Sequence, residues 1–191
     1  MDIMGDLIKQ VGTGENLTAL SSTLGGDEKS VQSALGLALP MVMGSMAKTA
    51  AKPGGADLIT SMMGQVGGGG ATNSMASYLS TPAPSGGSDI VSQLLGGQMG
   101  AIQNAISQKT GLPPAIVGTL LAVVTPMILG AVKNTFTDKK MDSAGLSSLL
   151  GDQAKVAMQS SPDAAALADQ FLGAEEETAG ILGSIKKIFG M

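Results

Sequence analysis

The chain has 191 residues, with 11 Lys against 15 Asp and Glu, and its formal net charge is −4. Arg, His, Cys and Trp are all absent. This composition excludes disulfide scaffolds, thiolate and imidazole chemistry and zinc knuckles, and the acidic balance without Arg excludes a general nucleic-acid binder. We therefore predict a protein that is not an enzyme, with no catalytic residue, no cofactor, no metal site and no small-molecule ligand.

The amino-terminal segment lacks the features of a secretory signal. Asp2 and Asp6 occupy positions where a signal would carry basic residues, and no small-residue cleavage site follows a long apolar run. We expect a cytoplasmic protein.

Helical periodicity dominates the chain, and the alternation typical of strands is not sustained anywhere, so the predicted fold class is all-α. Asp27 follows the helix-stopping pair Gly25-Gly26 and is predicted to cap a helix. Pro40 is predicted to end that helix and to begin another short one. The apolar stripe of the first of these helices is Val31, Ala34, Leu35, Ala38 and Leu39.

The same order of elements recurs in the second half. At an offset of 86 residues, nine identities fall within about thirty positions, and they place Gly25 on Gly111 and Pro40 on Pro126. This pattern indicates a duplicated helical unit. The predicted divisions are a first unit at 1–65, a Gly/Pro/Ser-rich linker with a short helix at 66–87, a second unit at 88–173 and a carboxyl-terminal amphipathic helix at 174–191.

A shorter motif also recurs along the chain. Its clearest copies are GGADLITSMMG (54–64), GGSDIVSQLLG (86–96) and SAGLSSLLG (143–151). Each copy predicts a short helix, with small or acidic residues at its start and a closing Gly in the left-handed conformation.

Residues 110–132 carry no charge over 23 positions, a length sufficient to cross the hydrocarbon core of a membrane. Thr125 before Pro126 is typical of a helix start, which would divide the stretch into two short helices that cannot span. No Trp or Tyr flanks the stretch to form an interfacial belt. We favour a buried pair of helices in a soluble domain, with a membrane segment as the alternative.

Four segments carry a family resemblance, namely LGGDEKSVQSALGLALP (24–40), AKPGGADLITSMMG (51–64), SQLLGGQMGAIQNAISQKTGLPPAIVGTLLAVVTPMILG (92–130) and AGLSSLLG (144–151). They resemble the YidB-like family of bacterial proteins, a domain of unknown function. The resemblance covers roughly residues 17–151 and implies a helical fold without an agreed activity, cofactor or catalytic residue. Some relatives look as though they carry a calcium-loop-like stretch, but FLGAEEETAG (171–180) lacks its Asp spacing, so we predict no calcium site.

Two short motifs match those of penicillin-binding proteins and serine β-lactamases. Ser45 and Lys48 form S-x-x-K, and residues 109–111 form K-T-G. Ile90 stands where the middle motif of those enzymes has Asn, and the K-T-G falls at a predicted helix end instead of on a strand. We interpret both matches as chance. The glycine run at 67–70 is interpreted as a hinge, because no Lys-Ser/Thr pair follows it.

The helices predicted from Pro40 and Pro126 are apolar nearly all round, which a small domain cannot fully cover. The terminal helix has apolar residues at i, i+1, i+4, i+7 and i+8, a face suited to its own domain, a second copy or a membrane surface. Our leading interpretation is a homo-oligomeric structural or scaffolding protein, and the alternative is a peripheral membrane-associated protein. The candidate self-association residues are Met41, Met127, Ile128, Ile181, Leu182, Ile185, Ile188 and Phe189.

Overall fold

The computed structural model describes residues 5, 7, 9, 11, 12, 14–66 and 87–172. The described residues form helices and no strand, which confirms the all-α prediction. The predicted linker helix and the terminal segment 174–191 lie outside the described residues. The helices are α1 Gly14–Leu24, α2 Glu28–Ala51, α3 Gly55–Gln65, α4 Gly87–Leu95, α5 Met99–Thr110, α6 Pro114–Asp138, α7 Ser143–Ser160 and α8 Pro162–Leu172, with a 3-10 turn at Gly96–Gln98.

The start of α2 is fixed by local chemistry, as the sequence predicted. Gly25 adopts a left-handed φ of 71° and ends α1, and its N–H donates to the Ser21 carbonyl at 2.8 Å. The Asp27 carboxylate then accepts the Ser30 backbone N–H at 3.0 Å. Hydrogen bonds from the Ser30 side chain and backbone favour the charged carboxylate and lower the pKa of Asp27 below its ordinary value.

Both internal prolines lie within continuous helices, so the prediction that Pro40 and Pro126 begin new short helices is wrong. Helix α2 has 24 residues and α6 has 25. Proline removes one backbone N–H donor, but apolar side chains on both sides of each proline are buried, and their packing outweighs the lost hydrogen bond. Thr125 is accordingly inside α6, where it caps nothing.

Helix α2 is the centre of the fold. It contacts every other helix of the described residues, from α1 to α8. Residues 37–46 are buried consecutively on all sides of the helix, and residues 123–130 of α6 are buried in the same way. Helix α6 lies against α2 and also contacts α1, α3, α4 and α5. A helix that is apolar all round is stable in water only when its whole circumference is covered, and these neighbours supply that cover.

The closing glycines of the recurring short motif behave differently from one another. Gly96 has a positive φ of 53° and follows α4, as predicted. Gly64 and Gly151 lie inside α3 and α7 without positive φ, so the predicted left-handed ends are wrong there. The chain after Gly151 continues with residues that favour a helix, including Ala154 and Ala157, which are buried and extend α7 to Ser160.

Helix boundaries recur at the same offset as the sequence identities. Adding 86 to the bounds of α1 and α2 gives the bounds of α5 and α6 to within one residue. Gly111 repeats the left-handed conformation of Gly25, with φ of 76°. One hydrophobic cluster joins side chains from both predicted units, because α7 and α8 pack on α2.

Gly55 and Gly64 of α3 allow a matched test of packing. A Cβ at Gly55 would overlap the Thr49 carbonyl oxygen, whereas a Cβ at Gly64 would meet no atom within 4 Å. We expect Gly55→Ala to lower the free energy of unfolding by about 2 kcal/mol, from overpacking. Gly64→Ala, the control, should raise it by about 0.5–1 kcal/mol, from helix propensity. Urea denaturation followed by circular dichroism measures both, and equal effects would contradict the close α2–α3 approach.

The Thr125 hydroxyl is buried without a hydrogen-bond partner among the described residues. An unsatisfied buried hydroxyl costs about 1–3 kcal/mol, so Thr125→Val should raise the free energy of unfolding by about 1 kcal/mol. Thr135→Val is the control, since the Thr135 hydroxyl donates to the Ala131 carbonyl at 3.2 Å and its loss should not stabilise the protein. Thermal denaturation measures the pair. A lower Tm for Thr125→Val than for wild type would show that this hydroxyl has a partner.

Candidate functional site

The structure places three of the predicted self-association residues inside a single chain. Met41 and Ile128 are 0% exposed and Met127 is 6% exposed. Each lies on a part of α2 or α6 that neighbouring helices cover on all sides, so none is available on the surface of this body. The remaining candidates lie outside the described residues: Ile181, Leu182, Ile185, Ile188 and Phe189.

The described body leaves few large apolar side chains in water. Leu58 on α3, at 43% exposure, and Val156 on α7, at 38%, are the exposed large hydrophobic residues within it. The expectation that the two long helices carry more apolar surface than one chain can cover is therefore wrong for the described residues. The reason is that α7 and α8 cover α2, a role the sequence patterns did not assign to them.

A cavity of about 280 Å³ lies where the end of α2 meets the turn after α4. Lys48 in the last turn of α2 and Lys52, the extended residue that follows the helix, line it together with polar side chains and the glycines of the 3-10 turn. Ser45 also lines it, but its hydroxyl donates to the Met41 carbonyl at 2.9 Å and the residue is 2% exposed. The full lining is Ser45, Lys48, Thr49, Lys52, Leu58, Gln93, Leu94, Leu95, Gly96, Gly97 and Gln98.

A second cavity, of about 380 Å³, lies between α2, α5 and the start of α8. Lys109 and Asp163 line it and form an ion pair whose side chains are 42% and 67% exposed. Water screens such a pair, so it contributes little to stability. The remaining lining residues are Ser33, Gly36, Leu37, Thr110 and Ser161.

The motifs shared with penicillin-binding proteins do not come together. Ser45 and Lys48 line the first cavity, whereas Lys109 and Thr110 line the second. The second cavity meets α2 about two turns before Ser45, at Gly36 and Leu37. Lys109 is engaged by Asp163, and the Ser45 hydroxyl is turned to its own helix. This arrangement lacks the activated nucleophile of an acyl-transfer site.

The described residues contain no group of three or more His, Cys, Asp and Glu side chains that could hold a metal ion. Neither cavity was predicted from the sequence. The i, i+4 spacing of Lys48 and Lys52 at a helix end is the signal that could have indicated the first. No sequence pattern indicates the second, because α8 comes from a distant part of the chain.

Two helices of the described residues, α2 and α6, are long and apolar enough to cross a membrane, judged by length and composition. The sequence predicted that Pro126 divides residues 110–132 into two helices too short to span a membrane. Pro40 and Pro126 both lie inside continuous helices, so this reason against spanning does not hold. Most of each apolar window is buried inside the body, and core helices of soluble proteins pass the same test.

The family model of bacterial proteins of unknown function DUF937 matches residues 6–135. The chain belongs to this family. The YidB-like resemblance found in the sequence is confirmed, since YidB belongs to the same family. Comparison with curated proteins and with solved structures gives no match. The family match ends near the end of α6, so α7 and α8, which pack on α2, lie beyond it.

The separation of the two motifs leads to a direct chemical test. Incubation with a penicillin-type probe should leave the mass of this DUF937 protein unchanged, because the Ser45 hydroxyl is buried and bonded within its helix. Intact-protein mass spectrometry measures the result, with a serine β-lactamase as the labelling control. An adduct on the wild type that disappears in Ser45→Ala would contradict our assignment of this motif to chance.

Proposed function

We propose that the protein is a non-enzymatic, homo-oligomeric structural component of the bacterial cytoplasm, and that copies associate through the terminal segment 174–191. The observation that carries the proposal is the nearly complete burial of apolar side chains in the described body. Because the described body exposes few apolar side chains for contact with a second copy, the amphipathic pattern of the terminal segment is the sequence feature that best supports self-association.

The terminal segment has the composition of a docking helix. At 100° per residue, Ile181, Leu182 and Ile185 fall on one side, and Ile188 and Phe189 continue the same side one turn later. Acidic residues at 175–177 precede this face and Lys186-Lys187 follow most of it, a distribution that complements the helix dipole. An apolar face of this kind gains free energy by leaving water, and a copy of the same segment offers a matching surface.

We also infer that the chain contains two related helical units. Support comes from the identities at an offset of 86 residues and from the matching bounds of α1–α2 and α5–α6. The second unit, 88–173, includes α7 and α8, whose packing on α2 joins the halves through one core. A single core favours a compact building block over two independently moving modules.

A second candidate function is peripheral membrane association through residues 180–191. The same apolar face would enter the interface, and Lys186 and Lys187 would add about 1 kcal/mol each of attraction to anionic lipid. The observation that favours this second candidate is the presence of two long apolar helices, α2 and α6, in the described body.

The oligomer proposal is tested by light scattering after size exclusion of the full chain at micromolar concentration. Wild type should exceed the monomer mass of 18.9 kDa. Ile185→Asp should shift the protein toward that mass with unchanged circular dichroism, because it places a charge in the apolar face.

Gly183→Asp is the matched control for this substitution. It adds the same charge about 160° around a helix from the centre of the apolar face, so the native mass should stay as in wild type. A strictly monomeric wild type removes the proposal. Equal effects of the two substitutions would show that net charge, and not the apolar face, controls association.

A further inference from the structure

We infer that α2 and α6 can exchange their protein neighbours for lipid and insert into a bilayer as a helical hairpin, with the connection at 53–108 on the far side and both chain ends on the near side. The inference is independent of self-association through 174–191. It rests on helix lengths, on the positions of Lys along the chain and on the hydrogen bonds inside the two helices.

The uncharged parts of both helices match a bilayer in length. Residues 30–47 of α2 carry no charge, and neither do residues 114–132 of α6. At a rise of 1.5 Å per residue, each stretch is about 27–28 Å long, close to the hydrocarbon thickness of about 30 Å.

Lysines bound both uncharged stretches. Lys29 and Lys48 flank the one in α2, and Lys109 and Lys133 flank the one that includes α6. Long lysine side chains at the ends of a spanning helix extend their ammonium groups to the headgroup region. A helix that is only a protein core requires apolar side chains, but it does not require a lysine beyond each end.

The lysines are also distributed unevenly along the chain. Residues 53–108 contain none and carry Asp57 and Asp89 as their charges, while Lys48, Lys52 and Lys109 stand at the two ends of this connection. The other eight lysines precede residue 30 or follow residue 132. Lys133 lies near the end of α6, and five lysines follow the helix: Lys139, Lys140, Lys155, Lys186 and Lys187. In bacterial membrane proteins the side with fewer Lys and Arg near the helix ends is the one that crosses the membrane, while the Lys-rich side stays cytoplasmic. This distribution fixes the orientation of the hairpin.

Three hydroxyl groups of the two helices donate within their own helix, whereas the buried Thr125 hydroxyl of α6 has no partner among the described residues. Ser45 donates to the Met41 carbonyl at 2.9 Å, Thr119 to the Ala115 carbonyl at 3.1 Å and Thr135 to the Ala131 carbonyl at 3.2 Å. These bonds do not depend on neighbouring helices, so they persist when lipid replaces protein. The internal prolines are also of a kind that spanning helices tolerate.

Two hydrogen bonds join these helices to other parts of the described body outside the buried runs 37–46 and 123–130. Lys133 donates to the Val66 carbonyl at 3.1 Å, and Ser147 donates to the Ala50 carbonyl at 3.1 Å. Both bonds are at helix ends, where water or headgroups can replace them. The centres of α2 and α6 are held mainly by apolar contacts, which hydrocarbon can also provide.

Topology can be measured in the full chain because it has no native Cys. Ser61→Cys marks the connection and Ser148→Cys marks the chain after α6, and both serines are exposed in the body. Each protein is added to the outside of phosphatidylethanolamine and phosphatidylglycerol vesicles. A membrane-impermeant maleimide is then applied before or after detergent.

Insertion predicts that Cys labelling at position 148 is unaffected by intact vesicles. Labelling at position 61 should be lost and then restored by detergent. Equal labelling of both sites on intact vesicles overturns the inference, and protection of position 148 alone overturns the orientation. Ile185→Asp combined with the same markers should keep the protection, so a failure of the terminal docking segment is distinguished from a failure of the hairpin.

Two variants, each with three added lysines at exposed positions, test whether the distribution of lysines controls insertion. Neither variant alters the core. Three added lysines in the connection should abolish protection of position 61, whereas three added after α6 should leave it unchanged. Equal behaviour of the two variants overturns the argument from lysine positions. Circular dichroism without vesicles checks that both variants fold. All six positions are exposed, namely Gln65→Lys, Ser92→Lys and Asn104→Lys in the first variant and Gln159→Lys, Ala166→Lys and Gln170→Lys in the second.

Discussion

The middle of α2 cannot face water on any side, and the arrangement of the other helices follows from that constraint. Ten consecutive residues, 37–46, are buried around its whole circumference. Covering them requires neighbours in every direction, and each of the other helices in the described body contacts α2. Helix α6 is the second such helix, and the contact between the two joins the first half of the chain to the second.

The same constraint explains why function is hard to locate by chemistry. Side chains with reactive or charged groups are excluded from the centre, so Lys48, Lys52, Lys109 and Asp163 gather in two cavities at the edges of the bundle. The pair at Lys109 is open to water, and the Ser45 hydroxyl is bonded inside its helix. The outer surface of this protein is therefore a better candidate for a functional site than its cavities.

Protein neighbours and lipid are alternative ways to satisfy one physical demand. A helix that is apolar all round, with its backbone and hydroxyl groups bonded internally, is stable in either surrounding. In the described body the cover comes from α7 and α8 as well as from helices within the family-matched segment. Our inference that α2 and α6 can insert into a bilayer rests on the positions of lysines along the chain, because ordinary core helices meet the same criteria of length and composition.

Local chemistry alone determined the helix class, the capped start at Asp27 and the left-handed ends at Gly25, Gly96 and Gly111, because each depends on neighbours close in sequence. Tertiary packing decided that α2 continues through Pro40. Buried contacts on both sides of the proline compensate for the one missing backbone hydrogen bond. Tertiary packing also decided the exposure of Met41, Met127 and Ile128. Their apolar character follows from the sequence, but the helices that cover them come from distant parts of the chain, and no periodic pattern contains that information.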